Sequence, residues 1–252
     1  MRRYWIETKD IFDDRVNFTS DTFHHIFDVC RQEVGSKFEV LTEDSKAFLV
    51  EVVSVGKKSA EGRVLEARVI PPLPEPHLHL ALAVSRFPVM DAIVEKAVEM
   101  GVKSIQPLFT EFSFVRTPSA LSANKVERWD KIVRSATQQC GRGDLMEISP
   151  ALQMNDFLAG FNQKTSVLGL FAYEGSSTLS IKHYVTEKKR ELGSVKDIWI
   201  FVGSEGGFSH AEVEKMRHLA LHPVTLGPQV LRVETACMAL VSVLKYDFDL
   251  MC

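Results

Sequence analysis

The densest run of residues able to do chemistry is Ile200-Phe201-Val202-Gly203-Ser204-Glu205-Gly206-Gly207-Phe208-Ser209. A short apolar run leads into three glycines and one carboxylate. Glycine reaches φ > 0 and lets a ligand approach the main chain closely. A carboxylate at the end of a parallel strand stands where open α/β sheets bind ligands. For Gly206-Gly207 alone a tight strand-to-helix turn is the commoner explanation, and Glu205 tips the balance somewhat toward a ligand. The spacing Gly203-x-x-Gly206-Gly207 fits neither the dinucleotide fingerprint nor the Walker phosphate loop. A nucleotide-like ligand without phosphates suits such a loop better.

A second segment is Leu226-Gly227-Pro228-Gln229-Val230-Leu231-Arg232-Val233-Glu234-Thr235. Gly227-Pro228 turns the chain, and Arg232 and Glu234 then lie just outside an expected helix start. Alone, this reads as an exposed Arg–Glu pair with Glu234 favoured by the helix dipole. Beside the glycine run, two neighbouring strand ends carrying Gly, Arg and Glu make a candidate site. A third segment, Gln138-Gln139-Cys140-Gly141-Arg142, is either a helix stop at Gly141 or a polar edge to a cleft. His24-His25 cannot both point one way on a helix or strand, which argues against a metal site. No Ser/His/Asp or Cys/His set is identifiable, because sequence does not show which side chains converge.

The elements that must position these residues change character at Pro71-Pro72-Leu73-Pro74-Glu75-Pro76. Four prolines in six residues stop helix and central strand alike, and read as a stiff linker. Before it, Phe38–Leu41, Ala47–Val53 and Arg63–Ile70 are short, β-branched or aromatic, and partly alternating. They predict a small β-barrel. After it, strand and helix alternate. His77–Val84, Ser104–Leu108, Ser166–Ala172, Ile198–Val202 and Val224–Leu226 predict strands, the longer ones apolar enough for a parallel sheet covered on both faces. Met90, Ile93, Val94, Ala97 and Val98 recur at helical spacing up to Gly101, and Trp129, Ile132, Val133 and Ala136 mark another helix. Ser209-His210-Ala211-Glu212 is a capping box opening a helix to about Leu221. Thr235 opens a last helix, Ala236–Phe248, apolar nearly all round and so buried in a core or a subunit interface.

Composition narrows the classes. The 252 residues are 45% hydrophobic, enough for one large core or two modest ones. No run approaches the roughly 20 apolar residues of a membrane span, and no apolar run follows Arg2-Arg3 as in a signal peptide. Cys30, Cys140, Cys237 and Cys252 lie far apart without metal-ligand or redox spacing, which reads as reduced thiols in the cytosol. The net charge of -3 is spread evenly over both halves. A phosphate-binding surface must therefore be a local patch, and charge alone leans against a nucleic-acid partner.

Taken together, the segments resemble the bacterial small-subunit rRNA (uracil-N3)-methyltransferase family of the SPOUT class, over nearly the whole chain. Met1-Arg2-Arg3-Tyr4-Trp5 is similar to that family's opening, and His24-His25-Ile26-Phe27-Asp28-Val29-Cys30-Arg31-Gln32-Glu33-Val34-Gly35 to its His-His…Val-x-Arg-x-x-x-Gly segment. Glu95-Lys96-Ala97-Val98-Glu99-Met100-Gly101-Val102 resembles its Lys-Ala-x-Glu-Leu-Gly helix, with Pro107-Leu108-Phe109-Thr110-Glu111 following. Ser135-Ala136-Thr137-Gln138-Gln139-Cys140-Gly141-Arg142 is similar to its Glu-Gln-x-x-Arg region. The most specific matches are Val202 to Ser209 and Leu226 to Ala236, in this order and at these separations. Ser204 stands where the family usually carries proline, and Gln139 where it carries an acid.

The resemblance implies a PUA-like β-barrel over residues 1–72, then an α/β domain over 73–252. That second domain would be a trefoil-knotted, mostly parallel sheet with helices on both faces, acting as a homodimer in the cytoplasm without metal or membrane. It implies S-adenosylmethionine (SAM) bent into the knot, its adenine held by backbone of the loop after Leu170, the Gly203–Gly207 loop and Thr225 to Leu231. The residues so implied are Leu170, Phe171, Ala172, Val202, Gly203, Glu205, Gly206, Gly207, Leu226, Gly227, Val230, Leu231 and Thr235. The implied reaction is methylation of N3 of a uridine in 16S rRNA, free or in the small ribosomal subunit. Arg232 is the candidate cation for the uridine anion, and Glu205 orients the ligand or acts as base if desolvation raises its pKa. Arg2, Arg3, Arg31, Arg86 and Arg142 are first candidates for gripping RNA. Two other readings stay open: a non-catalytic RNA-binding assembly factor, and a methyltransferase of the same class acting elsewhere on RNA.

Overall fold

The computed structural model describes residues 1–161, 166–175, 179–192 and 194–251, so the Cys252 thiol lies outside the described residues. Two compact units form, Met1–Pro72 with Arg134–Leu145 and Leu73–Val133 with Met146–Cys252. The first unit holds β1 (Arg3–Trp5), β2 (Ile11–Phe12), β3 (Arg15–Thr19), a helical turn α1 (Ser20–Phe23), β4 (Lys37–Leu41), β5 (Lys46–Val55) and β6 (Ser59–Val69). Its six strands run in the order β1-β4-β5-β6-β3-β2, parallel at β1–β4 and antiparallel elsewhere. Alternation explains the core: Val16, Phe18, Phe38, Val40 and Val50 point inward and are fully buried. The pairing path is open at β1 and β2 among the described residues, so the expected barrel is a mixed sheet without barrel closure. The strands β1, β2 and β3 lacked the apolar length that marks the other three.

Residues Arg134–Leu145 belong to this unit, although the proline linker is the only break visible in the sequence. Arg3 explains part of the attachment, donating from Nη1 to the Gln139 carbonyl at 3.1 Å and pairing with Glu39 at 2.9 Å.

The second unit opens with β7 (His77–Ala83), α2 (Phe87–Glu99), β8 (Ser104–Phe109) and the start of α3 (Ala123–Cys140). It continues with β9 (Glu147–Ile148), β10 (Leu152–Gln153), α4 (Met154–Gly160), β11 (Val167–Ala172), β12 (Leu179–Ser180) and α5 (Ile181–Leu192). Last come β13 (Asp197–Val202), α6 (His210–His218), β14 (His222–Thr225) and α7 (Val233–Asp247). The strands run β10-β8-β7-β13-β11-β14-β12, with β9 also on β8, and every pair is parallel. Both faces are covered, as a parallel sheet requires. Ala81, Leu108, Phe171 and Phe201 pack on one face with Met154 and Leu158 of α4 and Val213 and Met216 of α6. Their neighbours Leu80, Leu82, Leu170, Ile200 and Val202 alternate to the other face and are equally buried. No helix among the described residues is long and apolar enough to cross a membrane.

Two helix starts test the local reading. Ser209 and Glu212 form the capping box, side chain to backbone in both directions. The last helix, by contrast, starts at Val233 with Arg232 as N-cap, not at Thr235. No side chain caps it, so Thr235 exerted no stop and Glu234 lies inside the first turn, where the helix dipole favours an acid.

Candidate active site

Three parallel strands bring their C-terminal ends together in register. Phe171 of β11 lies opposite Phe201 of β13 and Pro223 of β14, and Ala172 opposite Val224. The chain reaches β14 by passing from β13 to the far side of β11. The loops leaving these ends enclose one cavity of about 440 Å³, in the place where open α/β sheets bind ligands.

Each wall has a local cause. Beyond Val202, a turn closes through the Gly207 N–H donating to the Ser204 carbonyl at 2.8 Å. A Cβ on Gly203 would stand 2.7 Å from the Gly207 carbonyl carbon, which only glycine avoids. Gly207 lines the cavity with φ +71°, a conformation that L side chains rarely adopt. Phe208 then plugs into the core under the loop. Beyond β14, the Thr225 hydroxyl donates to the Gly227 carbonyl at 2.9 Å and accepts from its N–H at 3.2 Å, shaping the turn before Pro228. Beyond β11, the Tyr173 N–H donates to the Val224 carbonyl at 3.1 Å, tying the first loop to the third.

The chemistry of the lining is distinctive. Lysine and arginine are missing from it, and Glu174 is its one carboxylate among the described residues. Such a wall offers main-chain donors and acceptors, apolar surface and a single negative charge. It suits a neutral ring joined to a cationic group and brings no basic side chain to a phosphate.

Of the expected residues, Ala172, Val202, Gly203, Gly207, Leu226, Gly227, Val230 and Leu231 line this cavity. Leu170 and Phe171 do not, since both are fully buried within β11 one or two residues short of its end. Thr235 is exposed, and Ala236 lines the cavity instead, a consequence of the earlier helix start. Tyr173, Glu174 and Ser204 also line it; Glu174 carried no signal beyond being polar after a strand, yet brings the cavity's charge. Arg232 sits exposed between the lining residues Leu231 and Val233.

Glu205 and Gly206 stand off the cavity. The Glu205 carboxylate accepts from Arg86 twice, from Nε at 3.0 Å and from the backbone N–H at 3.2 Å. Burial pushes its pKa up, but its own backbone N–H and Arg86 outweigh that and hold it below the usual carboxylate value. The expectation of a base raised by desolvation is thereby corrected: Glu205 is a paired, ionised carboxylate.

Of the arginines expected to grip RNA, Arg2 and Arg31 are exposed, Arg2 donating to the Cys30 carbonyl at 3.0 Å. Arg3 is half-buried on Glu39 and Arg86 is spoken for by Glu205. Arg142 is corrected. Its side chain is 6% exposed and paired with Asp144 at 3.0 Å, so no phosphate reaches it. No three His, Cys, Asp or Glu side chains converge as a metal site among the described residues.

Comparison with known proteins places these features in context. A family model described as an RNA methyltransferase domain matches residues 71–245, and one described as an RNA methyltransferase PUA domain matches 18–65. A Buchnera aphidicola protein named ribosomal RNA small subunit methyltransferase E is 30% identical over 248 residues, 98% of this chain and 93% of its own. A Legionella pneumophila protein described as a methyltransferase, solved with bound SAM, is 26% identical with a TM-score of 0.84, covering 97% of each chain. The fold is shared with ribosomal RNA small subunit methyltransferase E from Neisseria gonorrhoeae, 23% identical, TM-score 0.82, covering 98% of this chain and 97% of that one.

Proposed function

Because the chain belongs to the RNA methyltransferase family, we propose that it transfers a methyl group from SAM to N3 of a specific uridine in 16S rRNA. The observation that carries this is the cavity: three strand-end loops, main chain and apolar surface, with one carboxylate and no basic residue among the described residues. Those walls suit SAM: the backbone of Val202–Gly203 and Leu226–Gly227 would hold its adenine and ribose, and Glu174 brings a charge opposite to that of the sulfonium. Bound there, SAM supplies an electrophilic methyl carbon on a sulfonium.

The protein's own task is positioning and charge. Uridine N3 carries a proton, and its lone pair is free only once that proton passes to solvent water; the N3–methyl bond then forms as the methyl–sulfur bond breaks, leaving the neutral thioether. Arg232, at the lip of the cavity as the N-cap of α7, favours the resulting anion by facing O2 or O4 of the base. Glu205 holds Arg86 and does not take the proton. The crossing of the chain from β13 past β11 to β14 supports a trefoil knot at this site. The family resemblance supports a cytoplasmic homodimer acting on the small ribosomal subunit or its RNA.

Two measurements test this. Titration calorimetry should find SAM binding to the wild type and, within about twofold, to Arg232→Ala. Methyl transfer to small-subunit RNA by Arg232→Ala should fall by about 100-fold, the order lost with one charge-stabilising donor. Unchanged turnover removes Arg232 from the mechanism, and absence of SAM binding by the wild type leaves a non-catalytic RNA-binding protein.

A further inference from the structure

Beside the glycine loop, the chain displays an aromatic surface. Phe112 and Phe114 are 43% and 56% exposed, although large aromatic rings usually go inside. Burial alternates along this stretch: Ser113 and Val115 face inward, while Phe112, Phe114 and Arg116 face out. The inward residues fix the display. The Ser113 hydroxyl accepts from the Thr110 N–H at 3.0 Å, and the Phe114 N–H donates to the Val84 carbonyl at 2.8 Å. The surface extends to Phe87, whose ring meets Phe114 edge to face at 5.8 Å and carries the Lys125 ammonium 4.5 Å from its centroid.

The glycine loop is tied to this surface twice. The Ser204 hydroxyl donates to the Phe112 carbonyl at 2.6 Å, and a Cβ on Gly206 would stand 2.9 Å from that of Phe112. Glu205, between them, holds Arg86 in place. Ser204 therefore lines the cavity with one part and anchors Phe112 with another.

We infer that Phe112 and Phe114 form a stacking platform for unpaired nucleotides of the RNA substrate next to the methylated uridine, with Arg116 and Lys125 meeting its phosphates. This rests on the methyltransferase reading of the cavity. Rings interleaved with cations match single-stranded RNA, whose splayed bases stack on aromatic faces while the backbone tracks positive charge. A protein partner would call for a larger, less charged apolar patch. Arg116 and Lys125 supply charge complementarity in a chain whose net charge is -3.

The test uses the full-length protein with Phe112→Leu, Phe114→Leu and the double variant, which keep apolar bulk but lose the π-face, and Phe112→Tyr with Phe114→Tyr, which restores it. The Leu variants should raise KM for small-subunit RNA at least about fivefold each, the lower end of one base–aromatic stack. They should weaken binding of a single-stranded uridine-rich oligoribonucleotide in parallel, and the Tyr pair should return both to within about twofold of wild type. SAM affinity and oligomeric state should not move. Leu variants with wild-type KM and oligonucleotide binding overturn the platform, and so does a changed oligomeric state with RNA affinity unchanged, which would make the surface a protein interface. The outcomes stay separable: a wild type that binds the oligonucleotide through these rings but transfers no methyl group fails the reading of the cavity, not that of the platform.

Discussion

At the scale of single residues, Gly207 bears most directly on the ligand. Its φ of +71° is strained for any L side chain, and the residue lines the cavity. Gly207→Val should weaken SAM binding by at least about tenfold, roughly the loss of one well-placed contact plus a clash. Calorimetry checks it, and wild-type affinity would contradict the placement of the ligand. The glycines were legible because their type alone reports backbone freedom. Glu174 was not, because a lone acid after a strand looks like any solvated end. Arg142 shows the converse: a guanidinium reads as exposed until its pairing with Asp144 and its burial are seen.

His79 is a second residue whose setting makes a prediction. It lies between Ser104 at 2.7 Å and Asp197 at 3.1 Å, stacked on Trp199 with ring centroids 4.6 Å apart. Burial lowers its pKa, His77 and Lys103 push the same way, and Asp197 opposes them in part. A histidine with a depressed folded pKa binds its proton more readily when unfolded, so it costs stability as pH falls below about 6.5. Denaturant unfolding should therefore show the stability advantage of the wild type over His79→Gln shrinking between pH 7.5 and 5. A constant difference over that range would contradict the sign.

At the scale of elements, the capping box of α6 does more than start a helix. Glu212 accepts from the Ser209 N–H at 2.8 Å and from the Glu111 N–H at 2.8 Å, so it ties the loop after β8 to the loop after β13. Ser209→Ala should cost about 1 kcal/mol, the usual worth of an N-cap. Glu212→Ala should cost more, about 2 kcal/mol or above, because two N–H donors lose their partner. Equal costs in urea unfolding would show that the Glu111 link is idle. The box was readable from Ser209 and Glu212 alone, since its spacing is local. The start of α7 was not. Thr235 has the right type for a cap, but Val233 and Glu234 continue the helix backward to Arg232, and that turn decides that Ala236 and not Thr235 meets the cavity.

At the scale of the whole molecule, strand–helix alternation after the prolines was enough to expect a parallel sheet, because period and length are written into the apolar runs. Strand order was not, as nothing in Val167–Ala172 states that β13 and β14 flank it on opposite sides. The same holds for Arg134–Leu145, continuous with a helix in sequence and yet part of the first unit through contacts such as Arg3 with Gln139. Long-range pairings are properties of the fold, and only resemblance to a known family anticipates them.

The most direct measurement is transfer of isotopically labelled methyl from SAM to small-subunit RNA by the purified protein, read by nucleoside mass spectrometry. Label should appear in N3-methyluridine, and at subsaturating SAM Gly207→Val should lower it by at least about tenfold. Label in another nucleoside, or none with SAM bound, would contradict the assignment.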